Sequence, residues 1–195
     1  SSFLIRDPRE VKGKWSEVFG NDNPIYLEIG CGKGQFIFTH ASTNPDRNYI
    51  AIEGQENVAL RALEKAEQGG LQNLRIFIDF VNDMKDYFEE GELKGIYLNF
   101  SDPWPKARQA KRRLTYHKRL ANYKEIIGED GLIEFKTDND ALFEFSLEEI
   151  QLGGFQMLEM TRDLHASDYS AKTITTEYED KFRNGGKNIN YVKIK

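Results

Sequence analysis

Apolar residues along this chain alternate between two patterns. Strand-sized apolar runs extend from Ile25 to Ile29, Tyr49 to Ile52, Leu74 to Ile78, Ile96 to Phe100 and Leu132 to Lys136. Between them, apolar positions recur three and four residues apart, which predicts helices over about Gln35 to Ala41, Asn57 to Gln68, Met84 to Phe88 (short), Tyr116 to Ile127 and Ala141 to Leu152. Two further strands are expected near Gln156 to Met160 and Ile189 to Ile194. Nearly continuous apolar strands separated by helices describe an α/β fold wound on a mostly parallel sheet. Ahead of them, Val11, Trp15, Val18 and Phe19 keep helical spacing behind Asp7-Pro8, an N-cap followed by proline, so a lead-in helix over about residues 8 to 19 is expected. No repeat, low-complexity tract or long linker divides the chain, which reads as a single domain over 1–195, long enough to bury a core.

In such a sheet, ligands bind beyond the carboxyl ends of the strands, so the residues just after each strand carry the functional information. The first strand ends in Glu28-Ile29-Gly30-Cys31-Gly32-Lys33-Gly34 and the second in Glu53. Glycines let a backbone turn sharply and approach a ligand closely. The spacing is G-x-G-x-G with an acid just before it, whereas a dinucleotide loop reads G-x-G-x-x-G, and an acid beside a pyrophosphate would repel it. S-adenosylmethionine has no phosphate and offers an amino group, a sulfonium and a ribose diol, all of which carboxylates accommodate. Glu28, Gly30, Gly32, Gly34 and Glu53 are therefore read as a site for that cofactor. Taken singly, Glu28 could cap the loop and Glu53 could be a solvated strand end; a nicotinamide cofactor is the competing ligand.

After the fourth strand comes Asn99-Phe100-Ser101-Asp102-Pro103-Trp104-Pro105, where two prolines hold Asp102 and Trp104 in set directions. Asp-Pro-Trp is similar to the Asp/Asn-Pro-Pro-aromatic turn of enzymes that methylate exocyclic amines, so an amine acceptor stays open. Charge changes the picture next. The net charge is −5, yet Lys106, Arg108, Lys111, Arg112, Arg113, Lys118 and Arg119 follow this turn with no acid among them. A basic patch on an acidic body, beside a catalytic turn, points to RNA phosphates in preference to an ordinary solvated helix face. The lone Cys31 excludes an internal disulfide, and no Cys/His cluster has metal-ligand spacing, so neither staple nor metal is expected and a cytoplasmic setting is. No apolar stretch approaches the roughly 20 residues of a membrane helix, and no signal peptide precedes Phe3, so a soluble protein without a membrane partner is expected.

With these motifs in place, the chain resembles the bacterial tRNA (guanine-N7)-methyltransferase family over nearly its whole length. The resemblance is carried by Leu27 to Gly34, Asn99 to Lys106, Lys111-Arg112-Arg113-Leu114, Phe135-Lys136-Thr137-Asp138-Asn139 and Thr176-Glu177-Tyr178-Glu179 with Lys181-Phe182, the first being the least specific. It implies a Rossmann-like fold: a mostly parallel seven-stranded sheet with an antiparallel strand and helices on both faces. It implies that Glu28, Glu53 and Asp102 contact S-adenosylmethionine, that Asp102 is catalytic, that Lys106, Asp138 and Thr176 to Glu179 bind the substrate, and that Arg108, Lys111, Arg112 and Arg113 contact tRNA. The substrate would be a guanine in the variable loop. Where the family usually has an Asp for the adenine, this chain has Phe80, within Ile78-Asp79-Phe80-Val81-Asn82-Asp83, so Asn82, Asp83 or backbone groups are expected to take that contact. Trp104, Tyr178 or His165 could stack on an exposed guanine, unless each ring simply packs or, for His165, orders its loop. The sequence leaves open whether Ala166 to Thr175 is a mobile lid and whether the protein is a monomer or a homodimer. The rival readings are a methyltransferase acting on another acceptor, such as an exocyclic amine or a protein amide, and a noncatalytic RNA-binding module. The intact set Glu28, Glu53 and Asp102 argues against the second.

Overall fold

A computed structural model describes all 195 residues. The apolar runs form strands β1 (Ile25–Ile29), β2 (Asn48–Glu53), β3 (Leu74–Ile78), β4 (Gly95–Asn99), β5 (Leu132–Thr137), β6 (Met157–Thr161) and β7 (Asn190–Ile194). They make one sheet in the order β3-β2-β1-β4-β5-β7-β6. Strands β1 to β5 run parallel, and β7 is antiparallel to both β5 and β6. The expected mostly parallel sheet with an antiparallel strand is therefore observed. Strand order reverses direction between β1 and β4, which opens the ligand crevice at their carboxyl ends.

Pleating sorts the side chains between two cores. Leu27, Ile29, Ile50, Ile52, Leu98, Ile133 and Phe135 pack under helices α4 (His117–Ile127) and α5 (Asp140–Leu152). The alternate positions Tyr49, Ala51, Tyr97, Leu74 and Ile76 pack under α2 (Gln35–Thr43) and α3 (Glu56–Gly69). By the same alternation Glu28, Glu53, Asn99 and Lys136 lie on the α2/α3 face, each at or next to the carboxyl end of its strand. One periodicity thus gathers the polar groups at one corner of the sheet.

Three expectations are corrected. The lead-in helix spans only Trp15–Phe19 (α1), not residues 8 to 19. Gly13 adopts a left-handed φ of 76°, and the Gly13 and Trp15 amides donate to the Glu92 carboxylate at 3.0 and 3.2 Å, which interrupts any continuous helix. The expected helix at Met84 to Phe88 is a single 3-10 turn, Met84–Asp86. A helix that the apolar pattern missed, α6 (Glu177–Asn184), follows Thr176; only Tyr178 and Phe182 interrupt its polar sequence, so its periodicity is faint. No helix is long and apolar enough to cross a membrane.

Candidate cofactor and substrate site

Beyond β1 the chain turns through Gly30, Gly32 and Gly34 at φ 76°, 57° and 89°, a left-handed region that costs other residues about 1–2 kcal/mol each. The Gly30 and Cys31 amides donate to the Ile52 carbonyl at 2.8 and 3.0 Å, bending the loop over β2. Glu53 accepts the Gly32 amide on one oxygen and the Gln55 amide on the other, both at 2.9 Å. A Cβ on Gly30 or Gly32 would meet nothing within 4 Å, whereas one on Gly34 would lie 3.0 Å from the Ala62 Cβ. The first two glycines therefore border open space and the third serves contact between α2 and α3.

Glu28 lies under this loop, fully buried. One carboxylate oxygen accepts Asn99 Nδ2 at 2.8 Å, and the other, Oε1, is sealed from water without a hydrogen-bond partner. Burial pushes its carboxyl up to about 8; the Asn99 hydrogen bond and nearby Lys136 oppose the rise, and Glu177 and Glu53 add to it. A buried orphan acceptor beside an open glycine cradle suits a ligand that brings a cationic donor. Glu53, with both oxygens already held by amides, presents its remaining lone pairs at the next strand end. The residues present fit S-adenosylmethionine: an acid for the ammonium, open glycines for close approach, and a second acid for a diol.

The turn after β4 is strained on both sides of Asp102. Phe100 and Trp104 have positive φ, 55° and 43°, uncommon for aromatic residues. Phe100 is held by its amide on the Lys136 carbonyl at 2.9 Å and by stacking on Phe182 with centroids 6.1 Å apart. Trp104 is held by Arg113, whose guanidinium donates to the Trp104 carbonyl at 2.9 and 3.1 Å and to the Pro103 carbonyl at 3.1 Å, and lies over the Phe145 ring. Arg113, expected on the RNA, is half-buried and braces the turn from within, its Nε and one terminal nitrogen donating to these carbonyls. Arg112 caps the Trp104 ring at 5.0 Å, while Lys106, Arg108, Lys111 and Arg112 stay exposed. Asp102 is exposed between the braced residues, and Asp138 is half-buried just past β5.

The Thr176 to Glu179 segment separates into two roles. Thr176 is buried and caps α6 by accepting the Glu179 amide at 2.9 Å. Glu179 is fully buried, paired with Lys136 Nζ at 3.0 Å and His165 Nε2 at 2.5 Å. These two, expected to bind substrate, are thus also held inside the protein, where they fix the start of α6. Glu177 accepts the Gln35 amide at 2.7 Å in the first turn of α2, and Tyr178 is 57% exposed. His165 orders its loop through Glu179. The segment 166–175, left open as a lid by the sequence, is tied to β5 where Lys136 donates to the Ala171 and Ile174 carbonyls.

Just past β3, exposed Asp83 caps the 3-10 turn through one oxygen, Oδ1, which accepts the Lys85 amide and Asn122 Nδ2 at 2.9 Å each. Asn82 is exposed. Phe80, 74% exposed, lies against Gly54, where a Cβ would come 2.3 Å from its ring. Asp79, within the stretch singled out after β3 but given no contact of its own, donates its amide to the Glu53 carbonyl at 3.2 Å and accepts the Tyr87 hydroxyl on its carboxylate. No group of three or more His, Cys, Asp or Glu side chains is placed to hold a metal ion.

A switch-point crevice between β1 and β4, a glycine loop after β1 and acids toward the carboxyl ends of β1 and β2 define the Rossmann-like class of S-adenosylmethionine-dependent methyltransferases. Solved structures agree in fold: an antibiotic-related methyltransferase superposes with a TM-score of 0.67 at 18% identity over 93% of this chain and 92% of that one. The 16S rRNA methyltransferase KamB does so with a TM-score of 0.64 at 11% identity over 93% and 91%. The family model described as "Putative methyltransferase" matches residues 22–192. Among curated relatives, the tRNA (guanine-N(7)-)-methyltransferase of Lachnoclostridium phytofermentans is 49% identical over 97% of this chain and 88% of that protein. Those of Bacillus cytotoxicus and Streptococcus pneumoniae are each 47% identical, over 100% and 98% of this chain and 89% and 90% of theirs. The chain belongs to the bacterial tRNA (guanine-N7)-methyltransferase family.

Proposed function

We propose that this enzyme transfers a methyl group from S-adenosylmethionine to N7 of a guanine in the variable loop of tRNA. The observation that carries the reading is the orphaned oxygen of buried Glu28 beside the open Gly30 and Gly32 cradle, in a chain so close to relatives of that name. Glu28 takes the cofactor's ammonium and Glu53 its ribose hydroxyls. Asp79 and the residues that follow it border the adenine end. When bound, the cofactor supplies an electrophilic methyl on its sulfonium.

Guanine N7 offers an in-plane lone pair and has no proton to lose, so the chain needs no general base. Its work is alignment and electrostatics. Accepting that methyl at N7 would leave the guanine ring cationic. Asp102, exposed at the mouth of the site, and Asp138, past β5, stabilise that charge or hold the guanine N1 and N2 donors. The strained, doubly braced turn keeps Asp102 from drifting as the base arrives. N7 is engaged in tRNA tertiary pairing, so the base is exposed before reaction. Lys106, Arg108, Lys111 and Arg112 bind phosphates and orient the tRNA.

Methyl transfer from labelled S-adenosylmethionine to unmodified tRNA, followed by nuclease digestion, tests the reading. Labelled 7-methylguanosine is expected. A different labelled nucleoside moves the acceptor to an exocyclic amine, and a protein that binds neither S-adenosylmethionine nor its product overturns the cofactor assignment.

A further inference from the structure

A Lys ammonium has three protons to donate, and Lys136 spends all of them inside the protein. Its Nζ reaches the Ala171 carbonyl at 2.8 Å, the Ile174 carbonyl at 3.0 Å and Glu179 Oε1 at 3.0 Å. Lys136 is 3% exposed and Glu179 not at all, and the second Glu179 oxygen is taken by His165. The cluster therefore joins β5, the loop over 164–174 and α6 at a single buried point. Removing charges from water is costly, and an apolar pair of similar volume is often as stable or more so. Stability alone does not explain charges at this position.

The cluster's place in the chain supplies the explanation. The two carbonyls bracket the turn just before Thr175, and Glu179 comes just after Tyr178. Four residues, Thr175 to Tyr178, are held between these anchors. A second attachment faces the cofactor loop: Gln35, directly after Gly34, donates its amide to Glu177 at 2.7 Å and its side chain to the Thr175 carbonyl at 3.2 Å and to Asp180 at 3.0 Å. Tyr178 is the exposed product of this double fixing.

We propose that Lys136 is a positioning residue: a buried post that holds the 171–179 segment so that Tyr178 and Glu177 meet the tRNA beside the cofactor loop. The inference rests on the tRNA-methylating function proposed above. Lys136 touches neither substrate nor cofactor and acts through Glu179 and the two carbonyls.

The test replaces the ion pair by apolar residues of similar size, Lys136→Met with Glu179→Leu, which removes the post without leaving a lone buried charge. Steady-state kinetics should show the tRNA KM rising by about tenfold or more, with kcat at saturating tRNA changing by less than about threefold. Affinity for S-adenosylhomocysteine, measured by calorimetry, should stay within about twofold of wild type. A merely structural role would lower the melting temperature and the active fraction while leaving KM alone; an unchanged tRNA KM in a folded double variant overturns the proposal. Hydrogen exchange on the wild-type protein serves if the variant does not fold. Amides of 171–180 protected like those of β5 support the post, and exchange at free-loop rates overturns it. Wild-type protein that binds S-adenosylhomocysteine yet never methylates tRNA would instead overturn the proposed function, which separates the two failures.

Discussion

Asn99 donates its side-chain amide to Glu28 at 2.8 Å, from the end of β4 across to β1, and so satisfies only half of a carboxylate that has no access to water. The register places them there: Glu28 pairs with Tyr97, two residues before Asn99, on the same face of the sheet. This half-satisfied acid costs the fold stability and suits a ligand that brings a donor.

The sign of its pH effect follows. The folded protein holds the Glu28 proton more tightly than the unfolded chain, with a carboxyl raised to about 8 from an ordinary 4.5. Its contribution to stability is therefore greatest below the ordinary value and is lost progressively as pH rises through the window up to about 8. Glu28→Gln, which can still accept the Asn99 hydrogen bond, should melt higher than wild type at alkaline pH and should lose S-adenosylhomocysteine binding. Thermal unfolding at acid and alkaline pH, with and without that ligand, checks both halves. A variant that melts no higher than wild type at alkaline pH would show that Glu28 is not the strained group.

Proton release should accompany binding for the same reason. At neutral pH the empty site holds Glu28 largely protonated, and a cationic ligand group favours the carboxylate. Calorimetric titration in buffers of different ionisation enthalpy should report up to about one proton released per S-adenosylhomocysteine bound. No release would move the ammonium away from Glu28.

Asp102→Ala should abolish methyl transfer and leave the circular dichroism spectrum unchanged, because the side chain is exposed and the turn is braced through its neighbours Phe100 and Trp104. Near-normal turnover would remove Asp102 from the chemistry.

The basic segment should divide by function. Arg108→Glu with Arg112→Glu should weaken tRNA binding and flatten its dependence on salt, with cofactor affinity unchanged. Arg113→Ala should instead damage the turn, lowering kcat and the melting temperature while leaving the salt slope intact, since its guanidinium is committed to the Pro103 and Trp104 carbonyls. Identical salt slopes for the two variants would return Arg113 to the RNA surface.

Glycine replacements should rank by space. Gly30→Ala should lose about 1–2 kcal/mol to its left-handed backbone alone. Gly34→Ala should lose more, because its Cβ would also press on Ala62 at 3.0 Å. Denaturant midpoints decide the order, and equal losses would mean that α3 yields freely.

Much of this was legible along the chain. Apolar runs and helical spacing located the seven strands and most helices to within a residue or two, because burial on one or both faces writes a period into the sequence. The lead-in helix failed because Asp7-Pro8 and the apolar spacing are local signals, whereas Glu92, some eighty residues away, claims the Gly13 and Trp15 amides. Helix α6 escaped because its stability comes from Thr176 and the buried Glu179, neither of which is an apolar stripe.

Residue types and their place at strand ends singled out the glycine loop, the acids Glu28 and Glu53, the Asp102 turn and the basic patch, since strand order and pleat put those positions at one end of the sheet whatever the details. Only the tertiary structure decided which members of a motif face outward. Arg112 and Arg113 are neighbours with the same charge, yet one is exposed over Trp104 and the other is spent on backbone carbonyls. Tyr178 and Glu179 are neighbours too, one solvent-facing and one sealed against Lys136 and His165. A charge goes inward only where its partners converge on it, and those partners come from strands, turns and helices that are far apart in the chain.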